Sequence, residues 1–231
     1  MFPLHDDNPT RIVPVMTIAF IVMCVLVFVW QISLGRYFEQ AIYSLGAIPS
    51  VIFGIKILPA ELDVVPAWAT VFTSMFMHGS WMHLIGNMLY LWIFGNNVED
   101  AMGHVRFVIF YLLCGFTAFL AQSLPDPQST FPMVGASGAI SGVLGAYLML
   151  YPHARILVVI PLGIFLYPTR LPAGWVLAFW FLLQILSSAL AGNQQQGGVA
   201  FGAHIGGFVT GLVLIPFFKH KSHPLFAPPR S

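Results

Sequence analysis

The apolar residues of this chain are grouped into long stretches without charge, a pattern that predicts membrane-spanning helices. A helix rises about 1.5 Å per residue, so crossing about 30 Å of hydrocarbon takes about 20 apolar residues. Five stretches of the sequence meet this requirement. They are residues 12–34, 107–124, 134–151, 173–191 and 199–218.

A sixth helix is predicted within residues 64–98, which carry no charge but are too many for one span. Proline and glycine interrupt this stretch, so we place a helix at residues 81–97 and assign the preceding part to a loop. Residues 35–80 then form one long connection, apolar enough to lie partly in the membrane interface. Residues 156–167 are broken by proline and are predicted to turn at the opposite surface.

The predicted fold class is therefore an all-α membrane protein, with a six-helix core at residues 12–218 between short segments at 1–11 and 219–231. The first span is too long for a signal-peptide core and is expected to be retained. Six spans leave both termini on one side, together with seven of the nine Lys and Arg residues. Because positive residues favour the cytoplasmic side, we expect both termini there. The seven are Arg11, Arg106, Arg155, Arg170, Lys219, Lys221 and Arg230.

The composition supports a bilayer environment and excludes several classes of protein. Apolar residues make up 58% of the 231 residues and charged residues only 7%, against about 25% charged in a typical soluble domain. Such a chain cannot cover a water-exposed surface, which excludes an ordinary cytosolic enzyme and a disordered chain. The lipid bilayer is therefore an expected partner. The nine Lys and Arg residues are scattered and form no basic patch that could bind nucleic-acid phosphates, so nucleic acid is not an expected partner.

Polar side chains in three of the predicted spans fall at similar depth in the membrane. His83 and Asn87 lie early in the second span, Ser137 early in the fourth and His204 early in the sixth. Even-numbered spans run in the same direction, so these groups should converge on one side of the bilayer. His83 and Asn87 are four residues apart and share a helix face. The pair can serve a site, or it can simply hydrogen-bond neighbouring helices and hold the bundle together.

Ser137 lies in the sequence Gly135-Ala136-Ser137-Gly138 at the start of a helix. A helix start offers unpaired N–H groups and a positive dipole end, which suits a developing oxyanion. The alternative is packing, because Gly138 and Gly142 belong to a stripe of small residues that lets helices approach closely. Both interpretations can hold together.

His204 precedes a second small-residue ridge, made by Gly207 and Gly211. If this ridge meets the small face of the fourth span, His204 comes toward Ser137. A neutral imidazole is the usual base that activates a serine near pH 7, so the pair predicts a Ser–His dyad without an acidic third member. A metal site of His78, His83 and His204 is the alternative, although no carboxylate or thiolate lies nearby to complete it. Neither HExxH nor GxGD occurs, so zinc and aspartyl intramembrane proteases of those types are excluded.

Together, the Gly-Ala-Ser-Gly motif, Ala-His-Ile-Gly-Gly at 203–207 and the segment from His78 to Asn87 resemble the rhomboid intramembrane serine proteases, in a short bacterial six-span form. The resemblance implies peptide-bond hydrolysis in transmembrane substrates through an acyl-enzyme, without cofactor or metal. It implies a bacterial cytoplasmic membrane location and a cap loop at residues 193–199. The implied residues are Ser137 as nucleophile, His204 as base, His83 and Asn87 at the oxyanion, and Gly135, Gly138, Gly142, Gly207 and Gly211 in packing.

Two positions depart from the family pattern. Many members carry arginine after the tryptophan of the first loop, where Ala69 follows Trp68 here, and an aromatic residue four positions after the serine, where Ser141 stands. Neither change removes a reacting group. The main competing function is an inactive rhomboid-like protein that binds transmembrane helices without cleaving them. A transporter is a third class, but the chain has no inverted repeat and no carboxylate or lysine at the polar site.

Overall fold

In the computed structural model, which describes residues 2–163, 165–191 and 200–226, the chain is mostly helical. The α-helices are α1 Val15–Ser33, α2 Phe38–Leu45, α3 Pro49–Ile52, α4 Thr70–Thr73, α5 Trp81–Met102, α6 His104–Ser123, α7 Ser137–Leu150, α8 Ala173–Ala191 and α9 Phe201–Phe218. Short 3-10 helices lie at Gly35–Tyr37, Ala67–Ala69 and Ser74–Phe76. The strands are β1 Phe2–Asp6, β2 Arg155–Leu162 and β3 Phe165–Pro172.

Four of the described helices are long and apolar enough to cross a membrane: α1, α6, α8 as far as Leu190, and α9. The other two predicted spans are helices that differ from these in one respect each. Helix α5 has 22 residues but carries polar groups along its length. Helix α7 is apolar but has only 14 residues. It begins at Ser137 and not at the predicted residue 134, because the chain before Ser137 is held in a loop.

Helix α7 lies at the centre of the bundle, in contact with α5, α6, α8 and α9. Its small residues bring the α9 backbone very close. A Cβ atom on Gly207 would overlap the carbonyl oxygen of Gly138, and one on Gly211 would overlap the carbonyl oxygen of Gly142. On the side facing α6, a Cβ atom on Gly142 would overlap Cys114. Only glycine permits this approach, which sets the relative position of the two helix N-termini.

Helix α5 continues past the predicted end at residue 97 to Met102, before Gly103 turns the chain at φ +79°. The extension carries Glu99, whose buried carboxylate accepts the N–H groups of Met16 and Thr17 and the hydroxyl of Thr17 at 2.7–2.9 Å. These N–H groups lie in the first turn of α1, where they have no partner within the helix. Glu99 of α5 therefore caps the N-terminus of α1, and these hydrogen bonds offset the cost of burying its carboxylate.

The connection 35–80 is folded. It contains α2, α3, α4 and all three described 3-10 helices, and it packs on α6 through a cluster of Ala47, Val71, Met75 and Phe119. Ala47 exchanges backbone hydrogen bonds with Met133, in the segment that leads into α7. The connection therefore supports the approach to Ser137.

The three-stranded antiparallel sheet, in the order β1-β2-β3, departs from the predicted all-α class. The residues predicted to turn at a surface form most of a hairpin, and the N-terminal segment adds the third strand. Its middle strand is rich in β-branched residues. Ile156 and Val158 are buried in the core, while Arg155 is exposed and Leu157 is only partly buried. Period-two alternation of β-branched residues is typical of a half-buried strand, a signal that the prolines obscured.

Candidate active site

A cavity of about 790 Å³ opens between α5, α7, α8 and α9. The four polar residues singled out by the sequence, His83, Asn87, Ser137 and His204, all line it. Each lies in the first two turns of its helix: His83 and Asn87 on α5, Ser137 on α7, His204 on α9. The common cavity follows from three helices that present their N-terminal turns to the same space.

Ser137 is the first residue of α7, so its own N–H group has no acceptor within the helix. The chain reaches it through Gly135, whose φ of +122° is open only to glycine, and whose N–H donates to the carbonyl of Ser74 at 2.9 Å. One turn later, the hydroxyl of Ser141 donates to the carbonyl of Ser137 at 2.6 Å. These contacts hold the Ser137 backbone in place and leave its side chain at the cavity.

His83 and Asn87 contact the same glycine from α5. A Cβ atom on Gly135 would lie 2.6 Å from the His83 ring and 3.6 Å from the Asn87 amide nitrogen. The His83 backbone is fixed by Ser80, which caps α5 by accepting the His83 N–H at 3.2 Å. The amide nitrogen of Asn87 is buried and has no hydrogen-bond partner in the described part of the chain. A buried donor without an acceptor calls for an explanation, and a ligand in the cavity would supply one.

The ring of His204 is held from α8. Its Nδ1 lies 2.8 Å from Oε1 of Gln184, and the ring of Trp180 is 5.9 Å away, centroid to centroid. Sequence reasoning did not identify either residue. The available signal was Gln184 itself, an amide within an otherwise apolar span, because polar residues in membrane helices are costly and often functional. Trp180 therefore gives His204 an aromatic neighbour from α8.

The segments that carry Ser137 and His204 touch directly. A Cβ atom on Gly138 would lie 3.9 Å from both the Cβ and the carbonyl oxygen of Ala203. Gly138 follows Ser137 and Ala203 precedes His204 in the chain. The glycine contacts between α7 and α9 therefore bring the serine and the histidine to the same end of the helix pair.

The metal alternative finds no support among the residues described, which contain no cluster of three or more His, Cys, Asp or Glu residues suited to a metal. His78 is fully buried away from the cavity lining, with its ring 5.2 Å from that of His83. Its backbone N–H and carbonyl are both bound by the side-chain amide of Gln31 on α1, at 3.0 and 3.1 Å. His78 therefore anchors the loop before α5.

Two further predictions concern loops. Residues 193–199, predicted as a cap, lie outside the described residues. Ala69, where the family resemblance leads to the expectation of arginine, ends the 3-10 turn Ala67–Ala69, and the hydroxyl of Thr70 closes this turn by donating to the Ala67 carbonyl at 2.6 Å. This part of the first connection is thus ordered by local bonds.

Comparison with known proteins assigns the fold. The family described as Rhomboid domain matches residues 66–221, more than half of the chain, and this region includes every residue at the cavity apart from Pro49. The chain belongs to the rhomboid family. Its membrane helices and the cavity between them are therefore those of a rhomboid protein.

Several named rhomboid proteins are similar to this chain. Rhomboid protein 1, mitochondrial, from Saccharomyces cerevisiae is 30% identical over 76% of the chain and 52% of its own length. Rhomboid-like protein 11, chloroplastic, from Arabidopsis thaliana is 32% identical over 65% of the chain and 52% of its own length. Rhomboid protease GluP from Bacillus subtilis is 33% identical over 58% of the chain and 24% of its own length. The chain thus spans about half the length of the first two relatives and less of the third.

Proposed function

We propose that this rhomboid protein is an intramembrane serine endopeptidase that cleaves transmembrane segments of membrane proteins. The observation that carries the proposal is the shared cavity, lined by a serine at a helix N-terminus, a histidine on the adjoining helix and an unpaired buried amide donor. The similarity to a protein named a protease supports the same function. The alternative, an inactive protein that binds transmembrane helices, would retain the cavity but not the chemistry.

In the proposed reaction, the Ser137 hydroxyl oxygen attacks the carbonyl carbon of the scissile peptide bond and His204 accepts the hydroxyl proton through Nε2. The tetrahedral intermediate collapses as protonated His204 gives that proton to the leaving amine, which leaves an ester between Ser137 and the substrate. Water then attacks the ester with His204 again as base, and release of the new carboxyl group regenerates the serine. His204 passes on each proton that it accepts, and water is the only co-reactant, so the proposed reaction requires no cofactor.

The oxyanion of the intermediate would be stabilised by the Asn87 amide, His83 and the N–H of Ser137. A donor that is already placed and desolvated costs little reorganisation when charge develops, which is why such groups contribute strongly to catalysis. The buried amide of Asn87, without an acceptor among the described residues, is such a donor. Its energetic cost in the resting protein would be offset when the oxyanion forms.

We also propose that α5 and α7 both cross the bilayer, which gives six spans with both termini in the cytoplasm. Helix α7 is surrounded by other helices and needs less apolar surface than a helix that faces lipid. Helix α5 exposes large apolar side chains, among them Met82, Ile85 and Trp92, which suit contact with lipid. A bacterial cytoplasmic membrane is the proposed location, although two relatives are named for mitochondria and chloroplasts. Reporter fusions at both ends of the chain test it, and a fusion active on the outer side would contradict it.

The decisive experiment is cleavage of a single-span reporter in liposomes by the wild type, Ser137→Ala and His204→Ala. We expect cleavage by the wild type and a loss of roughly 10⁴-fold or more in each variant, because nucleophile and base act as a unit. Matched controls are Ser123→Ala, whose hydroxyl donates within α6, and His153→Ala, in an exposed turn. Both should cleave as the wild type does.

Equal cleavage by the wild type and Ser137→Ala would exclude the serine as nucleophile. If none of the proteins cleaves the reporter, labelling by a fluorophosphonate separates the remaining functions. A protease with other substrate requirements is labelled at Ser137, and an inactive helix-binding protein is not.

A further inference from the structure

Gln184 of α8 makes the closest polar contact to His204 among the described side chains, 2.8 Å from Oε1 to Nδ1. A neutral imidazole carries one proton, and the partner of one ring nitrogen determines which nitrogen holds it. If Nδ1 carries the proton, it can donate to a carbonyl-type oxygen, and Nε2 is free to accept. A base that takes a proton from Ser137 through Nε2 needs this tautomer.

The orientation of the Gln184 amide follows from its second contact. Its nitrogen, Nε2, lies 3.5 Å from the carbonyl oxygen of Trp180, one turn earlier on α8. A backbone carbonyl can only accept, so the NH₂ group of the amide belongs on this side. The amide oxygen is then the atom that faces His204, and an oxygen can only accept the Nδ1 proton.

From this geometry we infer that Gln184 is a positioning residue, which holds His204 in the Nδ1-protonated tautomer and fixes the ring plane through the α8–α9 contact. The inference rests on the proposed function, since it assigns a role within the same dyad. Gln184 would be the third member of the site, an amide in place of the carboxylate of an acidic triad. A neutral amide fixes tautomer and orientation without bringing a second charge into the membrane.

Trp180 contributes to the same arrangement. Residues 180 and 184 are four apart on α8 and share one face. The Trp180 ring lies 5.9 Å from His204 and 6.1 Å from Phe208, one turn further along α9. Ring packing and the amide hydrogen bond therefore both reach His204 from α8.

The test compares the full-length wild type with Gln184→Leu, Gln184→Glu and a control, Leu186→Ala, which changes an exposed residue of the same helix. Leucine keeps the approximate shape but removes the acceptor. Three readouts are measured in detergent micelles: kcat and KM for the reporter, the rate of fluorophosphonate labelling at Ser137, and the ¹⁵N NMR signals of the His204 ring. Only the first of these requires a cleavable substrate.

We expect Gln184→Leu to lower kcat and the labelling rate by about tenfold, the effect of one hydrogen bond, with KM unchanged. Gln184→Glu, which restores an acceptor, should recover both, and Leu186→Ala should match the wild type. The NMR signals should show a proton on Nδ1 in the wild type and a mixture of tautomers in Gln184→Leu.

Two results would overturn the inference. One is a wild-type ring protonated on Nε2, and the other is a Gln184→Leu variant that retains the wild-type tautomer and labelling rate. If the wild type labels and cleaves while Gln184→Leu is unaffected, the protease function stands and the role of Gln184 fails. If the wild type neither labels nor cleaves but the tautomer depends on Gln184, the positioning role stands and the protease function fails.

Discussion

At the scale of single residues, Gly135 joins the two halves of the candidate site. It lies two residues before Ser137 and packs against the His83 ring and the Asn87 amide. Its φ of +122° also gives the chain a turn that an L side chain rarely adopts. Gly135 therefore fixes both the approach of the chain to the serine and the distance between the serine and the proposed oxyanion donors.

We expect Gly135→Ala to reduce cleavage by about 10²-fold, comparable to the loss of one oxyanion donor. The added methyl group would lie 2.6 Å from the His83 ring, which has to move. Gly54→Ala is the matched control, because Gly54 also has a positive φ, +70°, but open space around its Cβ position. Reporter cleavage and thermal stability are measured for both variants. A Gly135→Ala protein with wild-type activity would show that the His83 position is not critical.

The residues of the site differ in how far the sequence could identify them. Ser137, His204, His83 and Asn87 stand out because polar groups within apolar stretches are few and fall at one depth. Gln184 is equally polar and equally embedded, but no residue near it in the sequence suggests a partner. Its contact with His204 depends on the rotation of α8 about its axis, which tertiary packing determines and a single span does not reveal.

At the scale of helices, the α7–α9 pair positions the proposed dyad. Gly138 and Gly142 on α7 face Gly207 and Gly211 on α9, with backbone carbonyls close to the opposing Cα atoms. Contacts this close leave no room for a methyl group between the helices. The relative rotation and depth of Ser137 and His204 are therefore consequences of four positions that carry no side chain.

Gly211→Ala is expected to lower the stability of the folded protein by about 1–3 kcal/mol, the usual cost of overpacking a tight interface. The added Cβ atom would overlap the Gly142 carbonyl, so α9 has to shift. Gly86→Ala on α5 is the matched control, because its Cβ position is open and alanine favours helix. Thermal unfolding in detergent measures both. Equal melting temperatures for the two variants would mean that α9 shifts away from α7 without a loss of stability.

The elements themselves were predictable to different extents. Helix α8 begins and ends where the apolar stretch predicted, at Ala173 and Ala191. Helix α5 runs five residues past its predicted end because buried acidic groups, costly in isolation, find partners at the start of α1. The sheet was not predicted, since strand β1 lies in a short polar head whose pairing with β2 is a contact between distant parts of the chain. Long-range pairing of this kind leaves no periodic signal in β1, and the alternation in β2 is interrupted by Pro161.

For the molecule as a whole, the N-terminal strand is tied to the central helix by one buried polar pair. Asp6, the last residue of β1, is 4% exposed, and the Tyr147 hydroxyl of α7 donates to its Oδ2 at 2.8 Å. Burial outweighs this hydrogen bond and raises the pKa of the Asp6 carboxyl group from 3.8 to about 6. The sheet on one side of the bundle and the helix that carries Ser137 thus share an ionisable contact.

This contact predicts a pH dependence of stability whose sign is fixed by the raised pKa. The folded protein binds the Asp6 proton more tightly than the unfolded chain does, so stability is full below about pH 4 and falls as pH rises through about 6. The difference is about 3 kcal/mol for a shift of this size. Asp6→Asn keeps the acceptor for Tyr147 without the charge, so the variant should match the wild type near pH 4 and be more stable above pH 7.

Thermal unfolding across this pH range, in one detergent, measures the effect. The matched control is Asp7→Asn, which changes the neighbouring carboxylate, an acceptor for the exposed N–H of Arg155. It should keep the wild-type fall in stability between pH 4 and 7. Parallel curves for the wild type and Asp6→Asn would mean that the carboxyl group of Asp6 is hydrated in the folded protein, and that β1 is not closed over α7 as the buried pair requires.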